Sequence, residues 1–357
     1  MTSIHQDNAD YERWLGETCR DPDLDALGRK HQAMSQSPFK FLRATYFRWA
    51  RTVLKRLDAL RQAPTARAVG DIHIENFGVW RDVEGRLVWG LNDFDEAAIM
   101  PACLDLVRLA VSLGLAERQA EVPPLEDISV ALLDGYREGL HKPRPVILQE
   151  KHHRLRKDLL LGEKDRRTFW RDLRDADPVE APWRAISALK HSLPKGATDL
   201  VFSRRRNGLG SLGRSRYAVV AKWRGGRVVR EAKAELPSAW GWANGGTQSA
   251  SEAMLVALGP HRSPDPSLRM DNHYIVRRLA PDARKIDLSE KAMKTVGADL
   301  IWLMGAELAC IHAARPQDAS AIGHDLDRRD AHWLEQATDV MRRSVESDYQ
   351  DWCGAGG

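Results

Sequence analysis

Residues 200–233 read LVFSRRRNGLGSLGRSRYAVVAKWRGGRVVREAK, and this stretch decides the fold. Its segments 200–205, 216–223 and 227–232 are rich in apolar and β-branched residues, which predicts three strands. Gly225-Gly226 joins the last two segments and is a strong hairpin signal. Residues 207–213, NGLGSLG, carry glycines with the spacing GxGxxG. A glycine-rich loop therefore connects two predicted strands, not a strand and a helix.

This strand–loop–strand order is the context of a loop that covers nucleotide phosphates. A cation on the following strand would pair with the same phosphates, and Lys233 ends the third predicted strand. Residues 248–258 are predicted to be a short helix, which makes Glu252 the natural partner of Lys233. The loop residues expected to contact the nucleotide are Gly208, Gly210, Ser211 and Gly213.

Helical patterns surround this β-rich segment. Apolar spacing of three and four predicts helices over 38–60, over 101–139 with an interruption at Pro123-Pro124, and over 289–314 and 330–352. Residues 273–279 form one more predicted strand. The expected fold class is therefore α+β, with a small antiparallel lobe and a larger helical lobe. We divide the chain into an N-terminal helical segment (1–65), a catalytic segment (66–190), a β-rich segment (191–285) and returning helices (286–357).

Composition limits the classes of protein that this chain can represent. Of the 357 residues, 43% are hydrophobic, enough for a well-buried core, and no 18-residue run is free of charge. The N-terminus lacks a secretory pattern and the four cysteines form no CxxC, so we expect a cytoplasmic protein with reduced thiols that does not associate with membranes. The net charge is only +4, and a nucleic-acid partner is not favoured.

A second constellation occupies residues 70–105. GDIHIEN at 70–76 places Asp71 five positions before Asn76, and NDFDE at 92–96 follows a predicted hairpin of strands 77–80 and 86–91. Phosphoryl transfer needs a carboxylate that orients the acceptor hydroxyl and oxygen ligands that hold magnesium. The hairpin would bring Asp71, Asn76 and Asp93 together. Asp105 lies in an apolar helix, where burial is costly unless donors reach it.

These residues resemble the catalytic core of aminoglycoside phosphotransferases and related small-molecule kinases. The family pattern is His-Gly-Asp-x-His-x-x-Asn, then Ile-Asp-Phe/Trp-x-x-Ala, then Asp-Leu-Ala, and this chain departs from it by having Val69 at the first position. The resemblance implies ATP and Mg²⁺ as cofactors. It also implies that Asp71 is the catalytic base, Asn76 and Asp93 bind magnesium, and Asp105 braces the catalytic loop, with His73 and Asp95 as supporting residues of the two motifs.

The motif order is that of a circularly permuted kinase. In ordinary kinases the glycine-rich loop and its lysine precede the catalytic loop, whereas here they follow it by more than 100 residues. The chain also resembles an uncharacterised bacterial family, domain-of-unknown-function family 2252. The strings that carry this second resemblance lie at 37–43, 70–78, 91–97, 208–213 and 233–238.

Two other functions stay open at this point. A pseudokinase would bind nucleotide without catalysis. A binuclear metallophosphoesterase would use the Asp71-x-His73 pair, although its downstream Gly-Asp-x-x-Asp and Gly-Asn-His strings are missing. The expected substrate is a small hydroxyl acceptor of unknown identity, for which the charged, tryptophan-bearing residues 141–185 are a candidate pocket.

Overall fold

The computed structural model describes residues 2–116, 121–149, 152–159, 163–176, 178–205, 213–246, 251–285 and 296–354, and it shows a mixed α+β fold with antiparallel sheets. The strands are β1 (Thr65–Ala68), β2 (Phe77–Arg81), β3 (Leu87–Leu91), β4 (Ala98–Pro101), β5 (Val146–Ile147), β6 (Thr198–Arg204), β7 (Arg216–Trp223), β8 (Gly226–Ala234), β9 (Arg269–Asp271), β10 (Tyr274–Leu279) and β11 (Arg284–Lys285). The helices are α1 (Ile4–Thr18), α2 (Leu27–Met34), α3 (Pro38–Ala44), α4 (Tyr46–Arg56), α5 (Cys103–Ala116), α6 (Leu125–His141), α7 (His153–Leu159), α8 (Glu163–Arg174), α9 (Trp183–Ser192), α10 (Ala239–Asn244), α11 (Ser251–Ala257), α12 (Ala298–His312), α13 (Pro316–Arg328) and α14 (Trp333–Gly354).

The largest sheet is built from the β-rich segment. Its five strands follow the order β6-β7-β8-β10-β9, and every pairing is antiparallel. Gly225 has φ +79°, a left-handed conformation that glycine adopts without steric cost, and it turns the chain between β7 and β8. The helices α10 and α11 connect β8 to β9, so the sheet contains a helical insertion after its third strand.

Two smaller sheets carry the motif at residues 70–97. β2 and β3 form the predicted hairpin, and β11 and β5 extend it on either side. Asp82 accepts hydrogen bonds from the backbone N–H groups of Glu84 and Arg86, which fixes the turn. β1 pairs with β4, a strand that the sequence reading did not include.

The helical part packs around α5, α6, α12 and α14. α12 lies against α6 at a distance that only glycine permits, because a Cβ on Gly135 would overlap the Trp302 carbonyl. α14 packs against α5, which is buried along almost its whole length. α12 also contacts β1 and β3, so the helical part packs against strands that flank the motif of residues 70–97.

The predicted helix over 38–60 is wrong in one respect, because the structure divides it into α3 and α4 at Thr45. This residue has φ −123° and ψ 37°, outside the helical region. Its hydroxyl donates to the Phe41 carbonyl at 2.7 Å, a side-chain bond that competes with the helical backbone. Apolar spacing continues through the break, so periodicity alone does not reveal it.

The remaining expectations concern thiols and membranes. All four cysteines lie in described residues and carry free thiols. None of the helices in the described ranges has the length and apolar character needed to cross a bilayer. The four-part division of the chain and the cytoplasmic location stay predictions.

Candidate active site

A cleft of about 320 Å³ lies between the five-stranded sheet and the hairpin of β2 and β3. Its walls come from β7, β8 and β10 on one side, and from the loops before β2 and after β3 on the other. The structure brings six of the predicted site residues into this one cleft: Asp71, His73, Asn76, Asp93, Asp95 and Lys233.

The hairpin of β2 and β3 brings the candidate site residues of 71–76 and 92–96 together. Phe77 of β2 pairs with Leu91 of β3, and beyond that pair the Asn92 N–H donates to the Asn76 carbonyl at 3.1 Å. Asn76 and Asp93 therefore lie next to each other at the open end of the hairpin. The Asn76 side-chain amide also donates to the Asp71 carbonyl at 2.5 Å, which closes the loop of residues 71–76.

Asp71 forms an ion pair with the fully buried Arg108 of α5, which donates to Asp71 Oδ1. Arg108 also donates to the Leu42 carbonyl at 2.9 Å, so its guanidinium is fixed from two directions. Burial raises the pKa of Asp71, and Arg108 opposes that effect only in part. The arginine thus orients one carboxylate oxygen of Asp71 and favours its ionised form.

Asp105 braces the loop that carries Asp71. Its Oδ2 accepts from the Val69 N–H at 2.6 Å and its Oδ1 accepts from the Gly70 N–H at 3.0 Å. His312, the last residue of α12, lies 3.1 Å from Asp105 Oδ2 through its Nε2, and its Nδ1 lies 2.6 Å from the Tyr136 hydroxyl. The imidazole of His312 therefore contacts Asp105, which holds the loop of residues 69–70. Val69 of this loop stands where the aminoglycoside phosphotransferase pattern has a histidine.

Gly70 allows the loop of residues 69–76 to approach the loop that follows β3. It has φ +80°, and a Cβ there would overlap the Glu96 carbonyl and come within 2.7 Å of the Tyr46 hydroxyl. The backbone of Glu96 in turn accepts a hydrogen bond from the Ser238 hydroxyl at 2.8 Å. A side chain at position 70 would separate Asp71 from the loop of residues 92–96.

Lys233 reaches from β8 into the centre of the cleft. Its ammonium forms an ion pair with Asp95 and lies 3.8 Å from Asp93 Oδ1, while Lys285 Nζ lies 2.6 Å from Asp93 Oδ2. Burial lowers the pKa of Lys233 to about 8, against the opposing effect of Asp93. Burial would raise the pKa of Asp93, but Lys233 and Lys285 outweigh it and hold that pKa well below its usual range.

The expected pair of Lys233 and Glu252 is not formed, and this corrects the sequence reading. Glu252 accepts from Arg67 Nε at 3.0 Å and is not part of the cleft wall. The reason is the position of α11, which packs against β1 and β4. The carboxylate that pairs with Lys233 is Asp95, which lies four residues beyond the end of β3. Asp95 is much farther from Lys233 along the sequence than Glu252 is, but it is adjacent in space.

Of the predicted glycine-rich loop, residues 207–213, the structure describes Gly213. Gly208, Gly210 and Ser211 lie outside the described residues. Gly213 has φ +105° and its carbonyl accepts from the Asp23 N–H at 2.9 Å, so it contacts the N-terminal segment and not the cleft.

Several residues that line the cleft or pair with its side chains were not predicted from the sequence. Arg108 could have been found, since an arginine within the apolar helix α5 needs a buried partner by the same argument that singled out Asp105. Lys285 has no local signal, because its role depends on the pairing of β11 with β2. The other missed charged residues that line the cleft are Arg43, Glu96, Arg205, Arg214, Arg216, Glu231, Arg262, Asp265, Arg277 and Arg278.

The charges of the cleft favour an anionic ligand. Nine arginine and lysine side chains and six aspartate and glutamate side chains line its described part, which leaves an excess of positive charge. His73 is buried beside this set, and burial lowers its pKa well below the usual value, so its ring stays neutral. Glu231 accepts from Arg277 at 2.8 Å, and this pairing holds its pKa at about 2 despite burial.

Among the described residues, no group of three or more His, Cys, Asp or Glu side chains forms a metal site. The oxygen ligands that the cleft does offer are the Asn76 amide and the ionised Asp93 carboxylate. Magnesium is commonly held by one or two carboxylates together with substrate phosphates and water. The pair fits that mode of binding, provided that Lys285 releases Asp93 Oδ2.

Comparison with known proteins gives a match of part of the chain to one family model. Searches of curated proteins and of solved structures found no match to this chain. The expected resemblance to an uncharacterised bacterial family is confirmed, because residues 20–176 match the model of the family described as "Uncharacterized protein conserved in bacteria (DUF2252)".

Proposed function

We propose that this protein is an ATP- and magnesium-dependent phosphotransferase with a circularly permuted kinase-like fold, acting on the hydroxyl group of a small molecule. The observation that carries the proposal is the convergence of Asp71, Asn76, Asp93 and Lys233 on one cleft. These residues come from positions up to 162 apart in the sequence (71 and 233), so their meeting is not a consequence of local chain geometry.

The architecture of the β-rich segment supports the nucleotide part of this proposal. Protein kinases carry their phosphate-binding lysine on the third strand, after a glycine-rich loop between the first two. Here β6 and β7 flank residues 206–212, and Lys233 lies on β8, the third strand of the segment. The side chains of Ile275, Leu279 and Ala283 line the cleft along β10 and the turn after it, and they would provide an apolar surface for the nucleobase.

Asp71 would act on the acceptor. Arg108 holds Oδ1 of this carboxylate, which leaves Oδ2 to orient the acceptor hydroxyl and accept its proton as the phosphoryl group moves. Asn76 and Asp93 would hold magnesium, which neutralises the charge that develops on the transferring phosphoryl group. Lys233 would exchange Asp95 for the nucleotide phosphates, since both are anions within reach of its ammonium.

The proposal is tested by thermal unfolding with ATP, ADP and GTP, each with and without magnesium. A ligand that binds only the folded state raises the unfolding midpoint according to its concentration over its dissociation constant. We expect a rise that requires both nucleotide and magnesium. A pseudokinase would show the same rise without ADP release in a coupled assay. A rise with metal alone and none with nucleotide would favour the metallophosphoesterase alternative and contradict our proposal.

A pH profile gives a second test, which concerns Lys233. Because burial lowers its pKa to about 8, the ammonium is charged below that pH and loses its charge as the pH rises through it. We therefore expect kcat/KM for ATP to fall on the alkaline side with a midpoint near 8. In Lys233→Arg the guanidinium stays charged, so the fall should move to higher pH, whereas the exposed control Lys55→Arg should keep the wild-type profile. An unchanged alkaline fall in Lys233→Arg would assign it to another group.

A further inference from the structure

A second, much smaller cavity lies directly behind Asp71. Its volume is about 10 Å³, enough for a single oxygen atom or water molecule. Arg43, Asp71, Glu96 and Arg214 line both this cavity and the main cleft, so the two spaces adjoin at the proposed catalytic base. Six described residues line the small cavity and not the main cleft, and Lys30 of α2 is the one among them with a cationic side chain.

Lys30 is 3% exposed, and within the described part of the chain its ammonium makes no hydrogen bond or ion pair. It lies over the rings of Tyr11 and Phe47, at 5.1 and 4.9 Å from their centroids. Buried cations normally have an anionic partner, because an aromatic face replaces only part of the lost hydration. Burial accordingly lowers the pKa of Lys30 to about 8.

The carboxylates nearest to Lys30 have other partners. Glu12 Oε1 lies 2.6 Å from His31 Nε2, and Glu96 Oε2 accepts from the Ala239 N–H at 2.6 Å. Glu96 Oε1 also lies 3.6 Å from Arg214. Among the residues that the structure describes, the ammonium of Lys30 therefore shares a cavity with Asp71 without forming an ion pair to an acidic side chain.

The N-terminal segment closes this end of the cleft. The Asp23 N–H donates to the Gly213 carbonyl at 2.9 Å, and the Ser215 N–H donates to the Asp21 carbonyl at 3.1 Å. The Tyr274 hydroxyl donates to Asp21 Oδ2 at 2.7 Å. These bonds tie the segment before α2 to the five-stranded sheet. Because the cavity volume is about 10 Å³, the group that occupies it beside Lys30 must be small.

We propose that Lys30 forms an oxyanion subsite for the phosphate acceptor, and that the acceptor is a small hydroxyl compound that carries a carboxylate or phosphate group. One oxygen of that group would enter the small cavity and pair with the ammonium, while the hydroxyl of the same molecule lies at Asp71. This assignment of the acceptor rests on the proposed function, but anion binding at Lys30 can be tested without it.

The test is thermal unfolding without nucleotide, with glycerate, glycerol 3-phosphate or uncharged glycerol as probe at matched ionic strength. We expect a rise in unfolding midpoint with one or both anions that exceeds the effect of glycerol, and the responding anion identifies a carboxylate or a phosphate as the source of the oxyanion. Loss of a hydrogen bond to a charged group weakens binding by about 10- to 100-fold. Lys30→Met should therefore weaken binding of the anion by this factor, while the exposed control Lys55→Met should leave anion binding unchanged.

Two further variants make the result decisive. Lys30→Gln is neutral but can still donate a hydrogen bond, and it replaces Lys30→Met if the latter unfolds. Lys233→Met reports on anions bound in the nucleotide part of the cleft. An anion effect that Lys233→Met abolishes and both Lys30 variants retain would overturn the subsite, as would the absence of any anion-specific effect in the wild type.

The outcomes separate this inference from the proposed function. A Lys30-dependent anion effect without any magnesium–nucleotide effect would keep the anion site and reject the phosphotransferase. A magnesium–nucleotide effect with an anion response independent of Lys30 would support the proposed function and reject the anion site at Lys30.

Discussion

Replacing Asp71 with asparagine is expected to lower phosphoryl transfer by about 100- to 10,000-fold, the range that positioned proton transfer usually contributes. Asparagine retains the shape of the side chain and an oxygen that can accept from Arg108, but it cannot take a proton at neutral pH. Nucleotide binding should change little, because Lys233 and Asp93 are untouched. The measurement is ADP release with magnesium and ATP, including the slow hydrolysis to water that many kinases show.

Folding must be followed in the same variant, since Asp71→Asn removes the anionic partner of the fully buried Arg108. A thermal unfolding curve separates a loss of chemistry from a loss of structure. Asp58→Asn is the matched control, because Asp58 has a side chain that is 80% exposed and lies outside the cleft. Full activity in Asp71→Asn would show that Asp71 is not the base.

The second large effect is expected from Asp93→Asn, through magnesium. Mutation of a residue that only supports a metal ligand typically weakens metal binding by about 10- to 100-fold. The loss of a carboxylate ligand itself should therefore raise the magnesium concentration for half-maximal turnover at least about 10-fold. Asp93 is suited to this role, because Lys233 and Lys285 keep its pKa well below the usual range and its carboxylate ionised.

The two variants should differ in how they respond to magnesium. High magnesium concentrations should restore part of the activity of Asp93→Asn, whereas Asp71→Asn should stay slow at every concentration. Lys285→Met provides a further comparison, since its ammonium lies 2.6 Å from Asp93 Oδ2 and must release that oxygen to the metal. A magnesium dependence of Asp93→Asn equal to that of the wild type would remove Asp93 from the metal site.

Local patterns predicted the elements well where a turn or an apolar period was clear. The hairpin of β7 and β8 follows from Gly225-Gly226, and the hairpin of β2 and β3 follows from residues 82–85. The break at Thr45 was missed, because the side-chain hydrogen bond that ends α3 leaves the apolar spacing intact. The short strand β4 was also missed, since its identity depends on β1, more than 30 residues earlier.

The sequence by itself indicated the candidate site residues on which the proposal rests: the carboxylates and amide of residues 71–95 and the lysine at 233, each predicted from short-range spacing and turn signals. Tertiary structure alone decided their partners. Lys233 pairs with Asp95 and not with Glu252, Asp71 with Arg108, and Lys30 faces the small cavity without an ion pair in the described part of the chain. The physical reason is that an ion pair requires approach to within a few ångströms, and that approach is set by how helices and sheets pack, which sequence spacing does not encode.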